Sequence, residues 1–175
     1  MKIIDLSQPL YDKMPVYPGD PEVSIQEIHN LKKEGWNLRL LTFTTHIGTH
    51  VNAPYHMAKS GKTLDDLPLE RFFGKAVLNT QGMTFDKNIG VIFHSQNIDS
   101  ALAQQLMQSP SKFVGLSAQF EFDLTVERLL CENNIISFEN LINTDKLPAS
   151  FMFYAVPLKI KGGEGSPVRA FAIGD

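Results

Sequence analysis

Along this chain, apolar and polar positions alternate more often than they recur at helical spacing. Residues 2–10 open as a strand carrying Ile3, Ile4 and Leu6 and break at Pro9. Residues 14–21, MPVYPGDP, hold three prolines and a glycine and are read as an extended loop. Residues 23–29 alternate again, and residues 32–37 form a charged turn around Gly35. Residues 38–45, LRLLTFTT, are rich in β-branched and aromatic side chains and predict a further strand. A polar turn at 59–62 precedes a short helical piece over 64–73, interrupted by Pro68. Strands follow at 75–79, 88–94, 113–116, 135–139 and 151–158. Two amphipathic helices are predicted at 100–107 and 124–133, the second with Glu127 and Arg128 on its wetter side. The tail, GGEGSPVRAFAI, reads as a glycine-rich loop returning into a last strand. Strands outnumber helices, and few alternate strictly with long helices. That pattern predicts a mixed α/β domain rather than a doubly wound one.

Length and composition then narrow the classes. A chain of 175 residues with no linker or repeat is expected to form a single domain, 1–175, with a sizeable core. A net charge of −3 leaves no basic surplus to neutralise phosphates, so a nucleic-acid partner is not expected. No apolar run approaches the length of a membrane span, and the opening MKIIDLSQPL lacks a secretory pattern. The single cysteine, Cys131, cannot form an internal bridge and is expected as a core or half-buried thiol. A cytoplasmic location follows as the expectation.

The chemistry concentrates in THIGTHVNAPYH, residues 45–56, which holds three of the five histidines. As a helix it would set His46 and His50 one turn apart, but Gly48 and Pro54 argue against that. As an extended strand it places His46, His50 and Asn52 on one face. Gly48 then lies between the imidazoles and would leave room for a metal or substrate. Imidazole nitrogens at that spacing suit a divalent ion, zinc, manganese or iron. His29 and His94, standing alone, are read as hydrogen-bonded structural residues.

The run H-x-G-T-H-x-N-x-P-x-H resembles the HxGTHxDxPxH signature of the metal-dependent cyclase family, of kynurenine formamidase and isatin hydrolase type. The segments DLSQPL, MPVYPGDP, SFENL and PLKIKGGEGSPVRA are similar to that family's other conserved stretches, so the likeness covers most of the chain. Residues 80–112 are shorter than is usual there. The resemblance implies a swivelling β/β/α-type fold, one divalent ion (zinc or manganese), and a homodimer or higher oligomer. It implies that His46, His50 and Glu139 are ligands and that His56 is the catalytic proton carrier. Two positions depart. Asn52 stands where the family has an aspartate ligand, and Glu127 stands where a histidine ligand is expected. Either Glu127 restores the carboxylate lost at Asn52 and both belong to the metal set, or Glu127 is a solvated helix residue. His94, Ser95 and Ser117 also replace family residues near the pocket.

The implied activity is hydrolysis of a small amide, formamide or lactam C–N bond. A metal there would lower the pKa of water from about 15.7 towards ~7, and an imidazole near ~6.5 suits proton transfer to the leaving nitrogen. Tyr17, Trp36 and Phe43 are candidates for an apolar wall against the small-molecule substrate. Ser166 and Arg169 either orient substrate or hold the C-terminal loop. The competing expectation is a catalytically inactive small-molecule-binding protein on the same fold.

Overall fold

The computed structural model describes residues 1–174. Its strands are β1 Lys2–Asp5, β2 Ser24–His29, β3 Leu38–Thr42, β4 His50–Asn52, β5 Phe73–Leu78, β6 Gly90–Phe93, β7 Val114–Ser117, β8 Ser137–Leu141, β9 Ser150–Tyr154, β10 Gly165–Pro167 and β11 Phe171–Gly174. Helix α1, Ser100–Gln108, joins β6 to β7, and α2, Leu124–Glu132, joins β7 to β8. Nine strands form one sheet in the order β1-β11-β9-β5-β6-β7-β8-β4-β10, while β2 and β3 pair as a separate hairpin. Strands β5 to β8 run parallel: a loop over 79–89 carries the first crossover, and α1 and α2 carry the other two. The remaining neighbours in the sheet are antiparallel. The architecture is mixed α/β, as the pattern of elements predicts.

The sheet curls. Strands β8 and β9 are separated by three others, which in a flat sheet would set them roughly 19 Å apart at ~4.8 Å per strand. Yet the rings of Phe138 on β8 and Phe153 on β9 meet at 5.0 Å between centroids, with Phe113 on both at 5.5 and 5.1 Å. All three are fully buried at the centre of the concave core, with Leu6, Val51 and Ile92. At the open side, the Ile142 amide donates to the Leu6 carbonyl, bringing the end of β8 beside the segment after β1. The convex face of the parallel strands, with Phe93 of β6, is covered by α1 and α2 through Leu106, Val126 and Leu130.

Each helix starts on an aspartate. Asp99 accepts from the Leu102 amide and Asp123 from the Thr125 amide, both at 2.8 Å, satisfying donors that the first turn leaves free. Helix α2 stops where Asn134 turns into the left-handed region at φ 59°. The piece expected as a helix over 64–73 is instead two 3-10 turns, Leu64–Asp66 and Leu69–Phe72. Pro68 between them is extended and supplies no amide hydrogen, so an α-helix cannot run through. The strand expected over 38–45 ends at Thr42, and the one over 151–158 ends at Tyr154. Among the described residues no helix is long and apolar enough to cross a membrane. Cys131 is buried, with its thiol pushed up to about 11 by that burial.

Candidate metal centre

The histidine segment divides in two. Only His50–Asn52 is strand β4; residues 45–49 form a turn in which Gly48 takes φ +56°. His46 and Gly48 therefore do not share a strand face with His50 and Asn52. Gly48 does line the cavity beside the histidines, and a Cβ there would lie 2.8 Å from the Leu10 side chain. Its value is also conformational, because the left-handed backbone favours glycine. The turn still folds the imidazoles together, with His46 5.2 Å from His50 and 4.1 Å from His56 between ring centroids.

Sheet register delivers the rest. β4 lies between β8 and β10, and His50 is directly opposite Glu139. Opposed residues in an antiparallel pair project to the same face, so this register makes the contact between an imidazole and a carboxylate. The next same-face residue on β4 is Asn52, opposite Ser137. A 3-10 turn, Pro54–His56, then swings His56 back under α2. On α2, Val126, Glu127, Leu130 and Cys131 form the buried stripe, so Glu127 faces inward and is 6% exposed. The sequence placed it on the wetter side. The helix phase set by Leu130 and Cys131 overrides its polarity.

Three imidazoles each meet a different carboxylate. His50 Nε2 lies 3.5 Å from Glu139 Oε1, His56 Nε2 lies 3.4 Å from Glu127 Oε1, and His46 Nε2 lies 3.4 Å from Glu164 Oε1. Glu164 was not singled out by sequence reasoning. Its only signal is an acidic residue set between glycines in GGEGSP, and Gly165 is what lets that loop lie against the His46 ring. Glu164 also accepts the Thr45 hydroxyl. Asn52 joins the cluster from the centre. Its amide nitrogen donates to Glu127 Oε1 at 2.7 Å and Glu139 Oε1 at 2.5 Å, and its oxygen lies 2.9 Å from His46 Nδ1.

These contacts set the protonation. Burial pulls the His50 pKa down, but the hydrogen bond and charge of Glu139 outweigh it and raise it overall. Burial raises Glu139, yet His50 and Asn52 hold it below the usual carboxylate range. Glu127 is pushed up to about 7 by burial and by the charge of Glu139. His56 is lowered to about 4 by burial and then by His46, and His46 is lowered by burial and then by His50.

A cavity of about 890 Å³ opens onto the three histidines, Glu127 and Glu139. Tyr17 lines it. Trp36 and Phe43 do not: Trp36 stands edge-on to His29, and Phe43 packs beside Met14, Val23 and Ile47. His94 and Ser95 also lie outside it. Arg169 clamps Asp5 through two hydrogen bonds, at 3.1 and 2.6 Å, and Ser166 is fully buried, accepting from the Leu158 amide. Both hold the C-terminal loop in place.

The donor chemistry fits a divalent ion. His50 Nδ1 is tied to the Gly48 carbonyl at 2.8 Å, which turns Nε2 towards the Glu139 carboxylate. Two acceptors facing across 3.5 Å need a cation between them, either a proton or a metal. Among the described residues no three His, Cys, Asp or Glu side chains are already splayed around a common point. The Asn52 amide lies between the carboxylates instead.

Comparison with known proteins places this arrangement. The Cyclase family model matches residues 4–121, a stretch that includes the histidine segment but ends before Glu127, Glu139 and Glu164. A kynurenine formamidase from Salinibacter ruber is 29% identical over 204 aligned positions, covering 97% of this chain and 96% of its own. An isatin hydrolase from Labrenzia aggregata has a similar fold, with a TM-score of 0.79 over 98% of this chain and 93% of its own, at 21% identity. A structure described as a predicted metal-dependent hydrolase from Bacillus stearothermophilus superposes with a TM-score of 0.75 over 98% of this chain and 97% of its own, at 23% identity.

Proposed function

The chain belongs to the Cyclase family, and from that premise we propose that it is a metal-dependent amidohydrolase cleaving the C–N bond of a small amide, formamide or lactam. The observation that carries this reading is Nε2 of His50, oriented by the Gly48 carbonyl and aimed at Glu139. The relatives' activities support the same bond type. His46, His50, Glu139 and Glu127 would hold one ion, and their mix of imidazole and carboxylate suits zinc or manganese. When bound, such an ion polarises a carbonyl and acidifies water.

The chain's own groups do the remaining work. His56, kept neutral by burial, presents Nε2 as a proton acceptor beside Glu127. It can take a proton from attacking water and return it to the departing nitrogen. Met14, Tyr17 and Phe122 supply apolar walls to the cavity, which suits a small substrate with an unsaturated ring. The test is elemental analysis of the purified protein with assays on N-formyl aromatic amines and isatin-like lactams. Bound metal at one ion per chain with turnover is the expected result. Full activity in a His46→Ala/His50→Ala double variant would refute the mechanism.

A second reading, an inactive small-molecule-binding protein, is favoured by one observation. Asn52 already satisfies both carboxylates without an ion. Stoichiometric metal with no turnover of any amide, lactam or ester would select it.

For partners we propose a second copy of this chain. Every residue of β3 is exposed, and Leu38, Leu40 and Leu41 with Ile28, Leu31 and Trp36 leave an apolar hairpin uncovered. Patches of that kind mark association surfaces. Sedimentation as a monomer at micromolar concentration would refute this. The buried, unpaired Cys131 supports a cytoplasmic setting.

A further inference from the structure

A carboxamide has two hydrogens on nitrogen and an acceptor oxygen, and Asn52 has used all three. The residue is 1% exposed, so no water competes for them. Its nitrogen serves Glu127 at 2.7 Å and Glu139 at 2.5 Å, with Ser137 Oγ a longer third contact at 3.4 Å. The orientation is not arbitrary. Flipped, the amide would set its oxygen against two carboxylates and its nitrogen against the ring nitrogen of His46. With the oxygen facing His46, the proton of that ring sits on Nδ1, which leaves Nε2 bare towards Glu164.

We propose that Asn52 is a positioning residue rather than a ligand: its amide straps Glu127 and Glu139 side by side and fixes the His46 tautomer, setting the cluster for one ion. The proposal rests on the metal-hydrolase reading for the identity of that ion, but the strap itself is a property of the metal-free chain. It explains how α2 can bury a carboxylate beside β8 at all. Two like charges this close need a shared donor, and the neutral one joining both is this amide. An aspartate at position 52 would offer oxygens to two carboxylates. At pH 8 three carboxylates would then meet without the amide hydrogens, a cluster held only by taking up protons or additional positive charge.

The experiment compares wild type, Asn52→Ala, Asn52→Asp and the double variant Asn52→Asp/Glu127→Gln. Each is melted in chelator at pH 8 and titrated calorimetrically with Zn2+ and Mn2+. In chelator, Asn52→Asp is expected to melt well below wild type. The double variant recovers most of that loss, because the carboxamide introduced on α2 returns a donor to the other side of the contact. That recovery keeps the test decisive even if the single variant does not fold. Asn52→Ala is expected to weaken metal binding by about ten- to a hundredfold, the usual effect of removing an outer partner that orients ligands. Asn52→Asp, where it folds, should take up more than one ion per chain. If Asn52→Asp melts with wild type in chelator, or the double variant is no more stable than the single one, the strap is overturned. If wild type binds no metal while the melting pattern holds, the strap stands and the hydrolase reading fails.

Discussion

The two ends of helix α2 follow the same electrostatic rule and come to different uses. At its N-terminal end the first turn carries Glu127, and at its C-terminal end the carbonyl of Asn134 receives the Arg71 guanidinium at 2.7 Å. An acid at the start and a base at the finish both complement the helix dipole. The difference is what surrounds them. Arg71, Lys87 and Lys112 line an open cavity of about 440 Å³, and none of them makes an ion pair among the described residues. Arg71 keeps that opening and the Asn134 carbonyl, although partial burial lowers its pKa. Glu127 is buried against another carboxylate, with the His56 imidazole and the Asn52 amide as its partners. Excess charge at the wetter end is more easily solvated, whereas at a dry end it becomes reactivity.

The largest way to break this contrast is at the dry end. His50→Ala should lower metal affinity by more than about a hundredfold, beyond the loss from an outer partner, as read by calorimetry and elemental analysis. Next is the rod between the ends. Leu130 is fully buried, and Leu130→Ala should cost about 2–5 kcal/mol of stability in denaturant unfolding. Both ends should loosen together.

A finer test uses pH. Glu127 in the folded, metal-free chain titrates at about 7, above its ordinary value of 4.5. A raised carboxyl pKa means that its contribution to stability is present below about 4.5 and is lost as pH rises through about 7. In chelator, Glu127→Gln should therefore flatten the decline in melting temperature between pH ~5 and ~8. With metal added the order reverses, since the variant has given up a ligand. The smallest effect is at the wet end. Arg71→Met should change stability by about 1 kcal/mol and leave metal affinity as in wild type. A change in metal affinity from Arg71→Met would mean that the two ends are coupled through α2.

Much of this was legible from local pattern. Both helices were predicted within one residue of their observed bounds, because amphipathic spacing is a local signal. The clustering of His46, His50 and His56 was legible in the spacing, while Glu139 joined it only through resemblance to a known motif. Spacing misjudged the local geometry. It drew His46 and Gly48 onto a strand, whereas glycine's left-handed φ makes a turn there. Trp36 and Phe43 were drawn to the pocket by residue type, and nothing in the sequence says which side of a hairpin an aromatic will face.

What the sequence determined by itself was the set of elements and the stock of donors: alternating strands, two capped helices, and imidazoles concentrated in eleven positions. Tertiary structure decided which carboxylate each imidazole meets. Glu139 reaches His50 through β-register, Glu127 reaches His56 through the phase of α2, and Glu164 reaches His46 through a glycine-bounded loop. Those partners lie 89, 71 and 118 positions away along the chain. Local propensity carries no information over such separations. Only the curl of one sheet and the packing of one helix bring them into one cluster.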